Sequence, residues 1–341
     1  MNPLERTLGS IAIALAATVG LTQSAAALSA QQDLTITRPG PADTPTEVRV
    51  GIYVVDIEQI DNSRQQFAVD FVVDLIWNDP RLAVSPGRRS LNNVWHPQAY
   101  LFNQRGLETL LPQTVDVESD GSVRYLQRYY GSLSAPLDLR DFPFDSQALP
   151  ITILSIMYGP ADVQFVFASE LSGRTERFSI AEWQVGTGEA EVGEYAVSSA
   201  HDESVEYLAR FDYVFEAQRS LNYYAWKVVG PLVIIVLMSW AVFWVDPKHV
   251  GPQLALSATS ILTLIAFLLS LSSILPPISY LTRLDYYVYA SLLLQFLAFA
   301  VALASTYLAS QDRHSLALRV DRVARLFFPG SFLVINLGFW T

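Results

Sequence analysis

Long apolar segments in the last third of the chain constrain its fold more than any other feature. The first runs from Val228 to Val245, followed by Leu254–Leu275, Tyr287–Leu308 and the shorter Leu326–Trp340. About 20 apolar residues in a helix cross the roughly 30 Å of hydrocarbon in a bilayer. We therefore predict a membrane domain over residues 223–341, with four helices at about 223–245, 252–275, 284–309 and 320–340.

The fourth segment is short, and Pro329 lies inside it. It is predicted to span the membrane because its aromatic residues are typical of a lipid-facing helix with an interfacial end. These residues are Phe327, Phe328, Phe332 and Trp340. Membrane lipids are accordingly among the expected partners.

Charge sets the part before these segments apart from the rest. Residues 31–220 contain 28 Asp and Glu against 14 Lys and Arg, whereas residues 221–341 contain 4 against 7. An acidic surface repels phosphate, so a nucleic-acid partner is disfavoured. Cations are the ions that such a surface concentrates.

The N-terminus has the pattern of a secretory signal peptide. Arg6 precedes an apolar run from Ile11 to Leu21, and small residues follow up to Ala27. Cleavage is predicted near Ala27, with Ala30 as the alternative, so residues 1–27 are the signal peptide and residues 28–222 the exported domain.

Arginines between the third and fourth segments predict the orientation. They are Arg313, Arg319, Arg322 and Arg325. Positive loops stay in the cytoplasm, so the exported domain and the C-terminus are expected on the outer side of the cell membrane.

Alternating apolar residues predict strands in the exported domain. Phe67, Val69, Phe71, Val73, Leu75 and Trp77 share one face, and the same period recurs at Tyr207, Ala209, Phe211, Tyr213 and Phe215. Short strands separated by turn signals such as Asp120-Gly121 indicate an all-β, immunoglobulin-like sandwich.

Catalysis is disfavoured. The chain has no Cys, which excludes thiol chemistry and disulfides. The four His residues (His96, His201, His249 and His314) are dispersed, and no phosphate loop, zinc helix or serine elbow is found. We predict a protein that is not an enzyme and uses no cofactor.

One segment carries a specific resemblance. Residues 136–147, Pro-Leu-Asp-Leu-Arg-Asp-Phe-Pro-Phe-Asp-Ser-Gln, resemble the signature loop of the Cys-loop receptor superfamily, in the form without cysteines found in bacterial members. Other features follow in the order of the family. They are Trp77 with Asp79 and Arg81, Trp95-His96-Pro97, Arg219, Pro231 and Ser239-Trp240.

The resemblance implies a homopentameric ligand-gated ion channel, in which the chain and four identical subunits surround a central pore. The second span would line the pore, and steps of three and four residues give the stripe Ala255, Thr259, Leu262, Ala266, Leu269 and Ser273. Apolar rings in this stripe would form the gate. Alternatively, the hydroxyls of this span only donate to their own helix.

The resemblance also implies two further sites. Asp145, Arg219, Phe142 and Pro143 would couple the two domains, with Asp145 and Arg219 as a salt bridge. An agonist site between subunits would use the aromatic candidates Tyr100, Phe102, Tyr158 and Tyr207. The acidic run Asp202, Glu203 and Glu206 is either a solvated loop or a site for protons or a divalent cation.

Ion and agonist are left open by the sequence. Cation-selective members have a Glu at the cytoplasmic mouth of the pore, but here the mouth reads Val250-Gly251-Pro252-Gln253, with a proline like the anion-selective animal receptors. The acidic outer domain favours cations. Proton-gated members have a carboxylate at the position of Gln65 and a His at that of Leu264, so an amine agonist is an alternative to protons, and a non-conducting ligand sensor is an alternative to a channel.

Overall fold

A computed structural model describes residues 37–198, 205–247, 249–271 and 278–341. The predicted signal peptide, Asp202, Glu203 and Ser273 lie outside these described residues. An all-β domain precedes four long helices, which confirms the predicted fold class.

Within the described residues, twelve strands form the first domain. They are β1 (Thr46–Asp61), β2 (Gln66–Asn78), β3 (Gly87–Ser90), β4 (Ala99–Leu101), β5 (Glu108–Thr109), β6 (Thr114–Val117), β7 (Ser122–Ser134), β8 (Ser146–Ser155), β9 (Val163–Phe167), β10 (Gly173–Arg174), β11 (Trp183–Ser198) and β12 (Val205–Arg219). One sheet has the order β10-β1-β2-β7-β6-β3, with β9 on β1 and β5 on β7, and the other has the order β11-β12-β8-β4.

The core of the sandwich lies between the two sheets. The alternating residues of β2 and β12 supply it, and Phe67, Phe71, Phe211 and Phe215 are fully buried. Trp77 and Trp95 are also buried, with their rings edge to face at 6.2 Å. Period-two patterning places these apolar side chains on one face of each strand.

The helices are α1 (Leu221–Trp244), α2 (Val250–Leu271), α3 (Arg283–Ser310) and α4 (His314–Trp340), and each is long and apolar enough to cross a membrane. α1 includes a π-helical stretch, Ala225–Val229, and ends in a 3₁₀ turn, Ala241–Trp244. α2 packs on α1 and α3, while α4 packs on α3 and on the last turn of α1.

The fourth helix begins at His314, earlier than the predicted start near residue 320, and it continues through Pro329. Its apolar side, including Ala317, Ala324 and Phe328, is buried against the bundle. Helical periodicity explains the earlier start, because the arginines of the first turns occupy the opposite, solvent-accessible side.

Candidate functional site

The signature loop, residues 136–147, connects β7 to β8 and rests on the helical domain. The amides of Arg283 and Leu284, at the start of α3, donate to the carbonyls of Arg140 and Phe142 at 2.8 and 3.1 Å. The loop and the third helix are therefore joined by direct backbone hydrogen bonds.

Side chains extend this contact to two more parts of the membrane domain. The amide of Leu139 donates to the Tyr280 hydroxyl, in the link before α3, at 3.1 Å. The Phe144 ring lies 5.2 Å from Phe339 and 5.5 Å from Trp340, at the end of α4. A movement of the loop would thus act on the link before α3 and on the end of α4.

Asp145 and Arg219 form the predicted salt bridge. Nε and Nη2 of Arg219 donate to the two carboxylate oxygens at 2.7 and 2.9 Å, and both side chains are almost completely buried. A buried pair of this kind is costly to break, because one removed partner leaves an uncompensated charge.

Aromatic rings enclose the Arg219 guanidinium. Its central carbon lies 4.0 Å from the ring centroid of Trp183 and 4.7 Å from that of Phe142. Nη1 also donates to the Tyr224 hydroxyl, in the first turn of α1, at 3.2 Å. The cation at the end of β12 is therefore held by β11, the signature loop and the first helix together.

Gln147 is a part of this junction that sequence reasoning missed. Its Nε2 donates to Asp145 Oδ2 and to the Asp138 carbonyl, both at 2.6 Å, and its Oε1 accepts from the Asp138 amide at 3.0 Å. Pro143 is buried in the same loop. Gln147 closes the signature segment, so its presence in the motif was the available signal.

Gln65, at the position of a carboxylate in proton-gated members, and the nearby Asp56 both have local partners. Gln65 Oε1 accepts from the Leu137 amide at 2.8 Å, so it anchors the start of the signature loop. The Asp56 carboxylate accepts hydrogen bonds from the amide and hydroxyl of Ser179.

The aromatic candidates for agonist binding lie at one end of the β11-β12-β8-β4 sheet. Tyr158 follows β8, and its hydroxyl accepts a hydrogen bond from Trp95 Nε1 at 2.9 Å. Its carbonyl accepts from the Ala209 amide on β12, two residues beyond Tyr207, which is half exposed. Tyr158 and Tyr207 are therefore close, although Tyr158 also packs in the core.

Phe102 has a neighbour that the sequence did not identify. Its ring centroid lies 4.8 Å from that of Tyr195 on β11, and Phe102 is 45% exposed. Tyr100 is similarly exposed, and its hydroxyl accepts from Gln104 Nε2 at 3.0 Å. Exposed aromatic faces of this kind attract organic cations.

Tyr100 also borders a cavity of about 230 Å³ inside the sandwich. His96, Gln98, Gln113 and Tyr125 line it. Burial lowers the pKa of His96, because the cavity wall disfavours the charged imidazolium, and a contact with the Val94 carbonyl opposes this only in part.

The helix α2 has one exposed and one buried face. The exposed face contains all described members of the predicted stripe: Ala255, Thr259, Leu262, Ala266 and Leu269. Leu262 and Leu269 are 67% and 69% exposed. The face buried against the bundle carries Gln253, Ser257, Ser260, Leu264 and Leu271.

Two hydroxyls of α2 donate to their own helix, as the alternative to pore lining predicts. Ser260 and Thr263 donate to the carbonyls of Leu256 and Thr259, at 2.9 and 2.8 Å.

Asp246 lies in the link between α1 and α2, near the start of α2. Its Oδ1 is 4.0 Å from Nε2 of His314 in α4. The carboxylate of Asp246 therefore lies beside the first turn of α4.

Comparison with known families covers most of the chain. Residues 34–219 match the neurotransmitter-gated ion-channel ligand binding domain, and residues 228–316 match the neurotransmitter-gated ion-channel transmembrane region. A proton-gated ion channel of Gloeobacter violaceus is 26% identical over 313 residues, which cover 90% of this chain and 86% of that protein.

Animal receptors are similar over a shorter part. The human glycine receptor subunit beta is 26% identical over 276 residues, covering 76% of this chain and 54% of the receptor subunit. The bovine gamma-aminobutyric acid receptor subunit alpha-2 is 24% identical over 273 residues, with 74% and 58% covered. The chain thus spans about half the length of these animal relatives. Both domains and the signature loop lead to one conclusion: the chain belongs to the neurotransmitter-gated ion-channel family, whose members are ligand-gated ion channels.

Proposed function

We propose that this protein is a homopentameric ligand-gated ion channel, in which an agonist bound by the β domain opens a pore lined by α2. The observation that carries the proposal is the exposed stripe of α2, which has a hydroxyl at Thr259 and large apolar side chains at Leu262 and Leu269. Five copies around an axis would convert these residues into rings, and the sequence spacing adds Ser273, which lies outside the described residues, to the same stripe.

α2 is a better pore lining than the other exposed helix, α4. From Leu326 onward most exposed side chains of α4 are large and apolar, such as Leu326, Phe327 and Val334, and suit lipid. α2 exposes Thr259 and Thr263 together with Ala255 and Ala266. Small and hydroxyl side chains are suited to a wet pore, so α2 belongs at the axis and α4 at the periphery.

The stripe also supports a position for the gate. Leu262, Ala266 and Leu269 would form successive apolar rings, and a narrow apolar ring excludes water and thus hydrated ions. The Thr259 ring below them offers oxygens that replace part of an ion's hydration shell. The closed gate is therefore assigned to the segment from Leu262 to Leu269.

The agonist is proposed to be a proton or a small amine. Tyr207 and Phe102 have exposed faces suited to an organic cation, with Tyr100 and Tyr158 beside them. Proton gating has support from the bacterial relative named a proton-gated channel. Gln65 cannot titrate, so protons would act through other carboxyl groups of the acidic domain.

Cations are the favoured permeant ions, because the acidic β domain would concentrate them above the pore. An anion-selective channel is the second candidate. The pore mouth, residues 250–253, contains no acid, and Asp246 faces His314 instead. A non-conducting sensor is the remaining candidate, and it would not require the shared stripe of Thr259 and Leu262.

The protein is proposed to lie in the bacterial inner membrane, with the β domain and the C-terminus outside. The arginines near the start of α4 support this orientation.

Recording from the purified protein in a lipid bilayer tests the proposed function. Currents are expected on one-sided acidification or on addition of a small amine, and the reversal potential in a salt gradient is expected to follow the cation. A reversal potential that follows the anion selects the second candidate. A correctly assembled protein that stays silent under every stimulus supports the sensor.

A further inference from the structure

A carboxyl group without a hydrogen-bond partner is buried in α4. Asp321 is fully inaccessible to solvent, and neither of its carboxylate oxygens has a hydrogen-bond partner in the part of the chain that the structure describes. Burial of an isolated ionised carboxylate is very costly, so such a group normally takes up a proton instead. The coupling junction does not use Asp321, which lies at the opposite end of the bundle.

Few polar groups surround this carboxyl. Ser305 of α3 lies close enough to stabilise an ionised Asp321, but the Ser305 hydroxyl donates to the Ala317 carbonyl at 3.4 Å. The charged residues that act on it are Arg325, one turn later in α4, and Asp246, in the link between α1 and α2. His314 lies in the first turn of α4, with Nε2 4.0 Å from Asp246 Oδ1 and with Nδ1 buried and unpartnered among the described residues.

Arg325 has other contacts than Asp321. Its Nε donates to the Phe243 carbonyl, in the last turn of α1, at 3.0 Å, and its guanidinium lies 5.4 Å from the Trp244 ring. Within the described residues Arg325 therefore makes no ion pair with Asp321, although it lies close enough to act on the carboxylate. The arrangement therefore fits a neutral carboxylic acid.

We propose that Asp321 is a proton-binding site on the cytoplasmic side of the membrane domain, and that release of its proton alters gating through Arg325. The inference rests on the proposed function for its orientation and for gating. An ionised Asp321 would attract Arg325, because residues four apart lie on the same helix face. The guanidinium would then leave the Phe243 carbonyl.

The last turn of α1 connects this event to the pore helix. In the same turn, the Val242 carbonyl accepts a hydrogen bond at 3.3 Å from Gln253 Nε2, which lies on the buried face of α2. Phe243 also stacks on Phe328 of α4 at 5.2 Å. Loss of the Arg325 contact would therefore loosen a turn that holds the start of α2, next to the predicted pore mouth.

Inside-out patches test the inference, because they allow the cytoplasmic pH to vary while the outer pH is constant. The Leu262→Ser background is used, since it is expected to conduct without a known agonist. The current is expected to change as the cytoplasmic pH is raised from acidic to alkaline values, because a buried carboxyl group releases its proton at a higher pH than an exposed one. Asp321→Asn should abolish this change and fix the current at its low-pH value, because an amide imitates the neutral acid.

Two controls identify the group. Asp312→Asn, at an exposed carboxyl in the turn between α3 and α4, should keep the full response to cytoplasmic pH. His314→Gln should also keep it. A response that survives Asp321→Asn but disappears in His314→Gln would overturn the assignment to Asp321. A conducting Leu262→Ser channel with Asp321 intact that shows no response to cytoplasmic pH would also overturn it.

Infrared spectroscopy separates this inference from the proposed function, because it requires no current. At about pH 7 ordinary carboxyl groups, with pKa values near 4, are ionised. The protein should nevertheless show the carbonyl stretch of a protonated carboxylic acid, and Asp321→Asn should remove it while Asp312→Asn does not. Absence of the band from the wild-type protein overturns the inference even if the variant fails to assemble.

Discussion

At the residue scale, the pair Asp145–Arg219 is an almost completely buried ion pair at the junction of the two domains. Removal of one partner by Asp145→Ala or Arg219→Ala leaves a buried charge and should cost about 3–5 kcal/mol of stability. The double variant should lose much less stability than the two single variants together, because it leaves no unpaired buried charge. Thermal unfolding of the four proteins in detergent measures this cycle, and additive effects would remove the pair from the coupling mechanism.

A matched control lies in the same loop. Arg140 Nη1 and Asp138 Oδ2 are 2.6 Å apart, but both side chains are more than half exposed. Water screens such a pair, so Asp138→Ala should cost less than about 1 kcal/mol. An equal loss at both pairs would mean that loop disruption, rather than burial, causes the effect.

Leu262 is the second residue with a specific expected role. Leu262→Ser places a hydroxyl in the predicted apolar ring, which offers water a hydrogen-bond partner and lowers the barrier to hydration of the closed pore. The variant should open at a lower stimulus or conduct at rest, as measured by bilayer recording.

The control for Leu262 must be an equally exposed leucine away from the stripe. The position of Phe267 in the sequence suggests that it faces lipid. In the structure it packs against the core of its own subunit, so it is unsuitable as a control. Leu333 on α4 is 61% exposed, close to the 67% of Leu262. Leu333→Ser should leave the resting current unchanged, and the assignment of the gate fails if both variants behave alike.

At the element scale, the start of α3 combines a helix cap with the domain junction. The Thr282 hydroxyl accepts from the Asp285 amide at 3.1 Å, and Asp285 Oδ2 accepts from the Thr282 amide at 2.8 Å. This capping box fixes the turn in which Arg283 and Leu284 donate to the signature loop.

Thr282→Ala should therefore weaken both the helix and the junction. Loss of a cap costs about 1 kcal/mol, and the variant should also require a stronger stimulus, because the loop contacts the first turn of α3. Ser310→Ala, at the other end of α3, is the control and should change neither. Unchanged stimulus sensitivity in a destabilised Thr282→Ala protein would show that the cap has no part in coupling.

The sequence predicts elements well where one period dominates. The alternation in β2 and β12 and the apolar lengths of the helices indicate the two domains directly. β11 is less visible, because most of its residues after Val185 are exposed and lack the alternation. The π-helical stretch Ala225–Val229 is also invisible to hydropathy, although Pro231, which lacks an amide hydrogen, follows it closely.

The junction shows why a site is harder to predict than a fold. Asp145 and Arg219 were predicted as a pair from family resemblance, whereas Tyr280 was not predicted to be near Leu139, which is 141 residues away. Only the packing of the two domains brings such residues together. Asp321 was also not singled out from the sequence, although helical spacing puts it on the same buried side of α4 as Ala317 and Phe328.

At the scale of the whole molecule, the single chain leaves the stripe of α2 uncovered. The hydroxyl groups of Thr259 and Thr263 are unfavourable in contact with lipid, so the helix needs partners that enclose a shared aqueous space. We predict that the purified protein is a homopentamer. Native mass measurement in detergent should give five times the 37.9 kDa of the chain, less any removed signal peptide. A monomer or dimer would contradict this prediction.

The most direct test of the pore assignment uses the absence of Cys from the chain. Single-Cys variants are made on the exposed face of α2, at Thr259, Leu262 and Ala266, and on its buried face, at Ser257 and Ser260. A charged thiol reagent is applied during bilayer recording. If α2 lines the pore, the reagent should change the current at all three exposed-face positions and at neither buried-face position. Modification of the current from the buried face, or none from the exposed face, would contradict the account.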